Sequence, residues 1–325
     1  MIKQIGLFGF GCVAQGFYEG LLQNPQFGVS IKKICVKSDS KKRNAPQALF
    51  TTSDLDILED PEIDVIIELI DDAAAALHIA RYSLKNNIPV ISANKKMIAE
   101  NLAELVVLQQ QYETPMLYEG AVAGSIPILQ NLAQFFSHQK ISLVRGILNG
   151  STNYMLTKMK NQHISFAQAL KEAQGLGFAE TDPTLDVKGL DATYKSIILA
   201  FHAFGEIVSV NDVEIVGIDK LTSALLLQGR RTGKKIKLIT EISKSTGILK
   251  ITVKPELIGE QDSLYAIDYE YNAIEVSGNL SGTQTYVGKG AGSLPTGSAI
   301  LNDLYLLLNN FQYSHQKQSA LKKTA

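Results

Sequence analysis

The sequence predicts an α/β protein in two parts: a parallel sheet covered by helices on both faces, then a mixed α+β domain. Three observations carry this expectation. Short β-rich runs alternate with helical stretches through the first third of the chain. A glycine-rich turn separates the first of these runs from the first helical stretch. Near residue 130 the alternation gives way to long helices and then to a β-rich stretch from about 236 to 288. With 325 residues the chain has room for two packed cores.

Taken in order, strands are expected at 2–8, 30–36, 65–69, 89–92 and 116–119. Helical spacing falls between them at 15–23, 73–85 and 96–112. Runs such as "VIIEL" are apolar on both faces, as a sheet sandwiched between helices requires. Beyond residue 130 the reading is a strand at 141–148, helices at 165–174 and 190–204, and a last apolar helix at 298–311 after the turn "GSLPTG". The expected domains are a nucleotide-binding domain at 1–130 and a second domain at 131–295. A terminal helix, 296–312, is expected to return to the first domain, and 313–325 to form a flexible, basic tail.

Composition narrows the function classes. A net charge of −1 and the lack of a basic stripe argue against nucleic acid or an anionic membrane as the main partner. No apolar run approaches the roughly 18–20 residues that span a bilayer. The opening "MIKQIGLFGFGCVAQG" is apolar but broken by glycines and lacks a basic leader, so no signal peptide is expected. Two cysteines, Cys12 and Cys35, build no disulfide framework. The expectation is a reduced, cytoplasmic protein.

The turn after the first strand reads "GFGCVA", from Gly9 through Phe10, Gly11, Cys12 and Val13 to Ala14. It has the spacing of a dinucleotide fingerprint, with alanine in the third glycine position. Gly9 would make the turn, Gly11 would let backbone approach a pyrophosphate, and the following helix would offer its N–H groups. An acidic residue at the end of the second strand would bind an NAD ribose. That strand instead ends "CVKSDSKKR", with Lys37 in the position and Lys41, Lys42 and Arg43 behind it. This cationic cluster favours NADP(H), while Asp39 leaves NAD open.

The run "GFAETDPTLDVKGLDATYK", from Gly177 to Lys195, concentrates carboxylates and lysines between two helical stretches. Asp191 and Lys195 stand four apart on the helix expected after Gly189, so they share one face.

Together with "VISANKKMIAE", "YEGAVAGSIPIL", "GILNGSTNYML" and "VGKGAGSLPTGSAILNDL", this run resembles homoserine dehydrogenase. The likeness is collinear over almost the whole chain. It implies a Rossmann-type domain, a dimerisation region and a substrate domain. The implied reaction is the reversible NAD(P)-dependent interconversion of L-homoserine and L-aspartate 4-semialdehyde, on the route to threonine and methionine. A homodimer is expected, without a fused kinase or ACT regulatory domain.

By the same resemblance, Glu180, Asp186 and Asp191 would bind homoserine, and Lys195 would donate and accept the proton. Lys95 would be a second lysine at the site, and Ser92, Lys95, Gly177 and Gly292 would contact the cofactor. The Glu119 side chain and the carbonyls of Val122, Gly124 and Ile126 would hold a monovalent cation, usually sodium. A carboxylate beside Lys195 would keep it cationic and suited to polarising an aldehyde oxygen.

Four positions depart from the family's pattern. Asp71 and Asp72 replace a glycine pair and put local cofactor geometry in doubt, Cys12 replaces a threonine, and Lys289 stands where an arginine is common. Two readings of Cys12 stand: a reactive thiol whose oxidation blocks the dinucleotide, and a small buried filler. Two other readings stay open: a relative acting on another small amino acid or semialdehyde, and a non-catalytic dinucleotide sensor on the same scaffold.

Overall fold

The computed structural model describes residues 3–38 and 40–314. Ile2, Asp39 and all but the first two residues of the expected tail lie outside the described residues.

In chain order the first elements are β1 (Gln4–Phe8), α1 (Cys12–Leu22), β2 (Ser30–Cys35), β3 (Phe50–Thr51), α2 (Leu55–Leu58) and β4 (Val65–Glu68). They are followed by α3 (Ala73–Lys85), β5 (Val90–Ser92), α4 (Lys95–Gln111), β6 (Met116–Leu117) and α5 (Ile128–Ala133). Next come β7 (Ile141–Ile147), α6 (Gly150–Asn161), α7 (Phe166–Gly175), α8 (Thr184–Val187) and α9 (Leu190–Phe204). The chain continues with β8 (Glu214–Ile215), α10 (Ser223–Thr232), β9 (Lys235–Ser245), β10 (Ile248–Ile258), β11 (Tyr271–Gly278), β12 (Gly282–Lys289) and α11 (Ser293–Leu308). Two compact units result, one holding residues up to 127 and from 291 onward, the other Ile128–Gly290.

The first unit is a parallel sheet in the order β3-β2-β1-β4-β5-β6. The order reverses between β1 and β4, and in such sheets ligands bind beyond the carboxyl ends of the strands at this point. All of β4 is buried, as its unbroken apolar run predicts. On α3, Ala76, Ile79, Ala80, Ser83 and Leu84 recur at helical spacing and are buried. Phe8, Ile57, Ile66 and Ile79 meet in one apolar cluster, where each isoleucine contributes about 2 kcal/mol by leaving water.

Helix α11 lies on α1 through two glycines. A Cβ on Gly16 would sit 2.1 Å from the Ser293 carbonyl oxygen, and one on Gly297 would sit 2.5 Å from the backbone of Gly16. No side chain fits at either position.

The second unit is a sheet in the order β12-β11-β7-β9-β10-β8, antiparallel except where β8 joins β10. Helix α9 is buried from Asp191 to Ala203. That span is apolar except for a few polar side chains, among them Asp191 and Lys195.

Several boundaries differ from the sequence expectation. Helix α1 starts at Cys12, because Gly11 already takes the extended capping conformation. Helix α11 starts at Ser293, its Pro295 falling in the first turn where no N–H is needed. Strand β6 ends at Leu117, and Glu119 opens a short 3-10 turn instead of closing a strand. The short elements β3, α2, α8 and β8 were not foreseen, nor were α5, α6 and α10. Helix α6 begins "GSTN", residues that favour turns. It is held by its Asn149 cap and by burial of Thr152, Asn153 and Thr157.

Candidate functional site

The glycine turn of the first unit has the geometry its spacing predicts. Gly9 has φ +88°, and a Cβ there would lie 2.6 Å from the Leu69 carbonyl oxygen, so only glycine fits. Gly11 faces open space. It caps α1 without a side-chain hydrogen bond, which leaves the N–H groups of the first turn, at Cys12, Val13 and Ala14, to an anion. Cys12 is exposed, Val13 half-buried and Ala14 buried. These residues suit a pyrophosphate.

Phe10 packs edge-on against Tyr18 and Phe50, and the Arg43 guanidinium lies 5.1 Å from the centre of the Phe50 ring. Arg43 also donates to the carbonyls of Ser38 and Lys41, so it is folded into the loop after β2. Lys37 is exposed, and its charge helps hold the Asp72 carboxyl below the usual range. The larger cause is the N–H groups of Ala75 and Ala74, which Asp72 accepts as the cap of α3. One of the two unexpected aspartates therefore has a structural task, and Asp71 remains exposed.

The ends of β4 and β5 carry a network that sequence reasoning missed. Glu68 is fully buried, accepting the Ser92 hydroxyl at 2.5 Å and the Ile70 N–H at 2.7 Å. Ser92 Oγ accepts the Asn94 N–H at 3.0 Å, and the Asn94 amide donates to the Ile70 carbonyl at 3.0 Å. Asn94 Oδ1 caps α4 through the Met97 N–H. Lys95, half-buried, is the first residue of that helix. Burial pushes the Glu68 carboxyl up to about 7, opposed by its two hydrogen bonds and aided by the charge of Asp71.

In the second unit the Gly177–Lys195 run divides into exposed and buried halves. Gly177 and Glu180 are exposed in the turn after α7, and Asp182 accepts from its neighbour Thr184. Asp186 is half-buried, while Asp191 and Lys195 are buried on α9. Lys195 Nζ lies 2.8 Å from Asp191 Oδ2 and donates to the Leu148 carbonyl at 2.8 Å. Asn149 bridges the two aspartates, its amide nitrogen donating to Asp186 at 2.7 Å and to Asp191 at 2.8 Å.

The expected substrate cluster of Asp186, Asp191 and Lys195 is therefore assembled, with Glu180 outside this set of bonds. Leu148 and Asn149 are new members, supplied where β7 runs into α6. Their segment stood in the sequence reading, but nothing in it singled them out.

The loop expected to hold a cation is buried at Glu119, Val122, Gly124 and Ile126. Asp303 of α11 accepts the Glu119 N–H at 2.9 Å through Oδ2, while its buried Oδ1 has no hydrogen-bond partner among the described residues. Burial and the charge of Glu119 push the Asp303 carboxyl well up. Two buried carboxyls with one oxygen left over suit a small hard cation. Among the described residues, no three His, Cys, Asp or Glu side chains cluster as a metal site, and no helix is long and apolar enough to cross a membrane. Gly292 is the exposed cap of α11, with φ +119°, and Lys289 approaches Glu270 at 3.5 Å.

Comparisons with known proteins agree along the chain. Residues 9–119 match the family model "Homoserine dehydrogenase, NAD binding domain", and residues 127–305 match "Homoserine dehydrogenase". The homoserine dehydrogenase of Bacillus subtilis is 35% identical over 95% of this chain and 73% of its own length. That of Thiobacillus denitrificans has a solved structure with a TM-score of 0.91, at 32% identity, covering 95% of this chain and 73% of that one. A hyperthermophilic archaeal homoserine dehydrogenase, solved in complex with NADPH, has a TM-score of 0.83 at 25% identity and covers 96% and 99% of the two chains. The chain belongs to the homoserine dehydrogenase family, and it is an NAD(P)-dependent oxidoreductase that acts on homoserine.

Proposed function

We propose that Lys195 carries the proton of the homoserine hydroxyl and that Asp191 keeps this lysine oriented. In the reductive direction a cationic Lys195 donates to the aldehyde oxygen of aspartate 4-semialdehyde, and in the oxidative direction the neutral amine takes that proton back. The bound nicotinamide supplies the acceptor or donor of the hydride at the same carbon. Asp186 and Asp191 accept from the substrate ammonium, with Glu180 joining them from the exposed turn. Lys95 shares the proton transfer, by holding a second positive charge near the reacting oxygen. The observation that carries this reading is the buried Lys195–Asp191 pair, anchored by Leu148 and Asn149.

The first unit is the dinucleotide domain in this reading, with Gly9 to Ala14, Lys37, Ser92, Lys95 and Gly292 assigned to the cofactor, as is Gly177 of the second unit. NADP is preferred, supported by the cations at Lys37, Lys41, Lys42 and Arg43. A monovalent cation such as sodium at Glu119, Val122, Gly124 and Ile126 has a structural role, supported by the leftover oxygen of Asp303. The second unit binds substrate and forms a homodimer, and the protein works in the cytoplasm.

Oxidation of NADPH and of NADH with aspartate 4-semialdehyde tests the assignment. Lys195→Ala is expected to lower turnover at least about a hundredfold with dinucleotide binding largely intact. A variant with near-native turnover overturns the role given to Lys195.

A further inference from the structure

Glu68 is a buried carboxylate that the proposed chemistry does not use. It ends β4, with Phe8 of β1 opposite it on one side and Ser92 of β5 on the other. Among the described residues it has no cationic partner, and the charged group that acts on it is another acid, Asp71. An acid buried without a counter-charge is costly and would be replaced by an apolar residue if packing were its only task.

What it holds is a closed ring of hydrogen bonds. The ring runs from Glu68 to Ser92, to the Asn94 N–H, through the Asn94 amide to the Ile70 carbonyl, and back by the Ile70 N–H to Glu68. Around it the Ala93 N–H reaches the Glu68 carbonyl at 3.4 Å, and the Lys95 N–H the Ala93 carbonyl at 3.0 Å. The ring thus fixes every residue between the end of β5 and the first turn of α4. Lys95 leaves the chain at that point.

We infer that Glu68 is a positioning residue for the reaction, acting through Ser92 and Asn94 on the turn that carries Lys95. The inference rests on the reading that Lys95 serves the proton transfer. A ring of this kind needs an acceptor at Glu68 and a two-way hydroxyl at Ser92. Its charge is dispensable, because a neutral amide can accept the Ile70 N–H and donate to Ser92 Oγ.

The test compares Glu68→Ala, Glu68→Gln and Lys95→Ala in the full chain, by steady-state kinetics with aspartate 4-semialdehyde, dinucleotide titration and thermal melting. Glu68→Ala is expected to lower kcat about tenfold or more. Its KM for semialdehyde and its dinucleotide Kd are expected to stay within about threefold. Glu68→Gln is expected to restore kcat to within about threefold of the native enzyme. If Glu68→Ala does not fold, Glu68→Met fills the same space without an acceptor for Ser92 and Ile70 and is expected to lose kcat alike.

Native kcat in the alanine variant overturns the inference if Lys95→Ala is impaired. So do parallel losses in kcat, KM, Kd and melting temperature in both Glu68 variants, since these mark a merely structural role. If Lys95→Ala turns over at the native rate, the reading of Lys95 fails and takes the inference with it.

Discussion

Two buried carboxylates, Glu68 of the first unit and Asp191 of the second, are kept in opposite ways. Asp191 sits in the first turn of α9, where the helix end favours a negative charge, and meets a lysine and an amide. Glu68 ends a central strand, and among the described residues its carboxyl meets a hydroxyl and one N–H, with an acid as its charged neighbour. The first arrangement fixes a charge beside a lysine, where the proposed chemistry would use it. The second fixes geometry and lets the charge vary with pH.

Substitution of Asp191 tests the first arrangement most severely. Asp191→Ala removes the carboxylate that faces the buried Lys195, and a loss of about 3 kcal/mol in stability is expected from denaturant titration. An unchanged midpoint would show that Lys195 finds another partner.

Glu68 gives a smaller effect with a definite sign. Its carboxyl titrates near 7 in the folded chain against 4.5 ordinarily, so between these values the folded state holds a proton that the unfolded state has released. Stability from this group therefore falls as pH rises from about 4.5 to 7 and levels off above, by about 2 kcal/mol between pH 5 and 7. Melting of the native chain and of Glu68→Gln across that range checks it, since the variant should lack this slope. Equal slopes would erase the contrast with Asp191.

Asn149→Ala is expected to act more mildly. It removes the α6 cap, at a cost of about 1 kcal/mol, and takes one donor from each aspartate, so turnover should fall about tenfold through kcat. The cap and the bridge separate in Asn149→Asp, which keeps an oxygen for the Thr152 N–H and loses the donor to Asp186 and Asp191. Native turnover in that variant would remove Asn149 from the site.

The contrast also explains what the sequence made legible. Asp191 and Lys195 are a local pair, four residues apart on one helix, so spacing alone put them together. Gly9 was equally readable, because a tight strand-to-helix turn leaves few residues able to fill it. Glu68 also meets Ser92, 24 residues away, and Lys195 meets Leu148, 47 away. Such contacts are made by strand order, which no local pattern encodes. Helix α6 was hidden for a related reason: its cap and its buried threonines favour helix only once the rest of the unit surrounds them.

The glycine crossing of α1 and α11 ties residues near the two ends of the chain, with Ser293 bonded to Cys12 across 281 positions. A ribosome making this protein therefore finishes the Ile128–Gly290 unit before the first unit receives its last helix. The unit that holds the glycine turn starts before the Ile128–Gly290 unit and closes after it, and until α11 emerges the flank of α1 that it covers stays open to wrong partners.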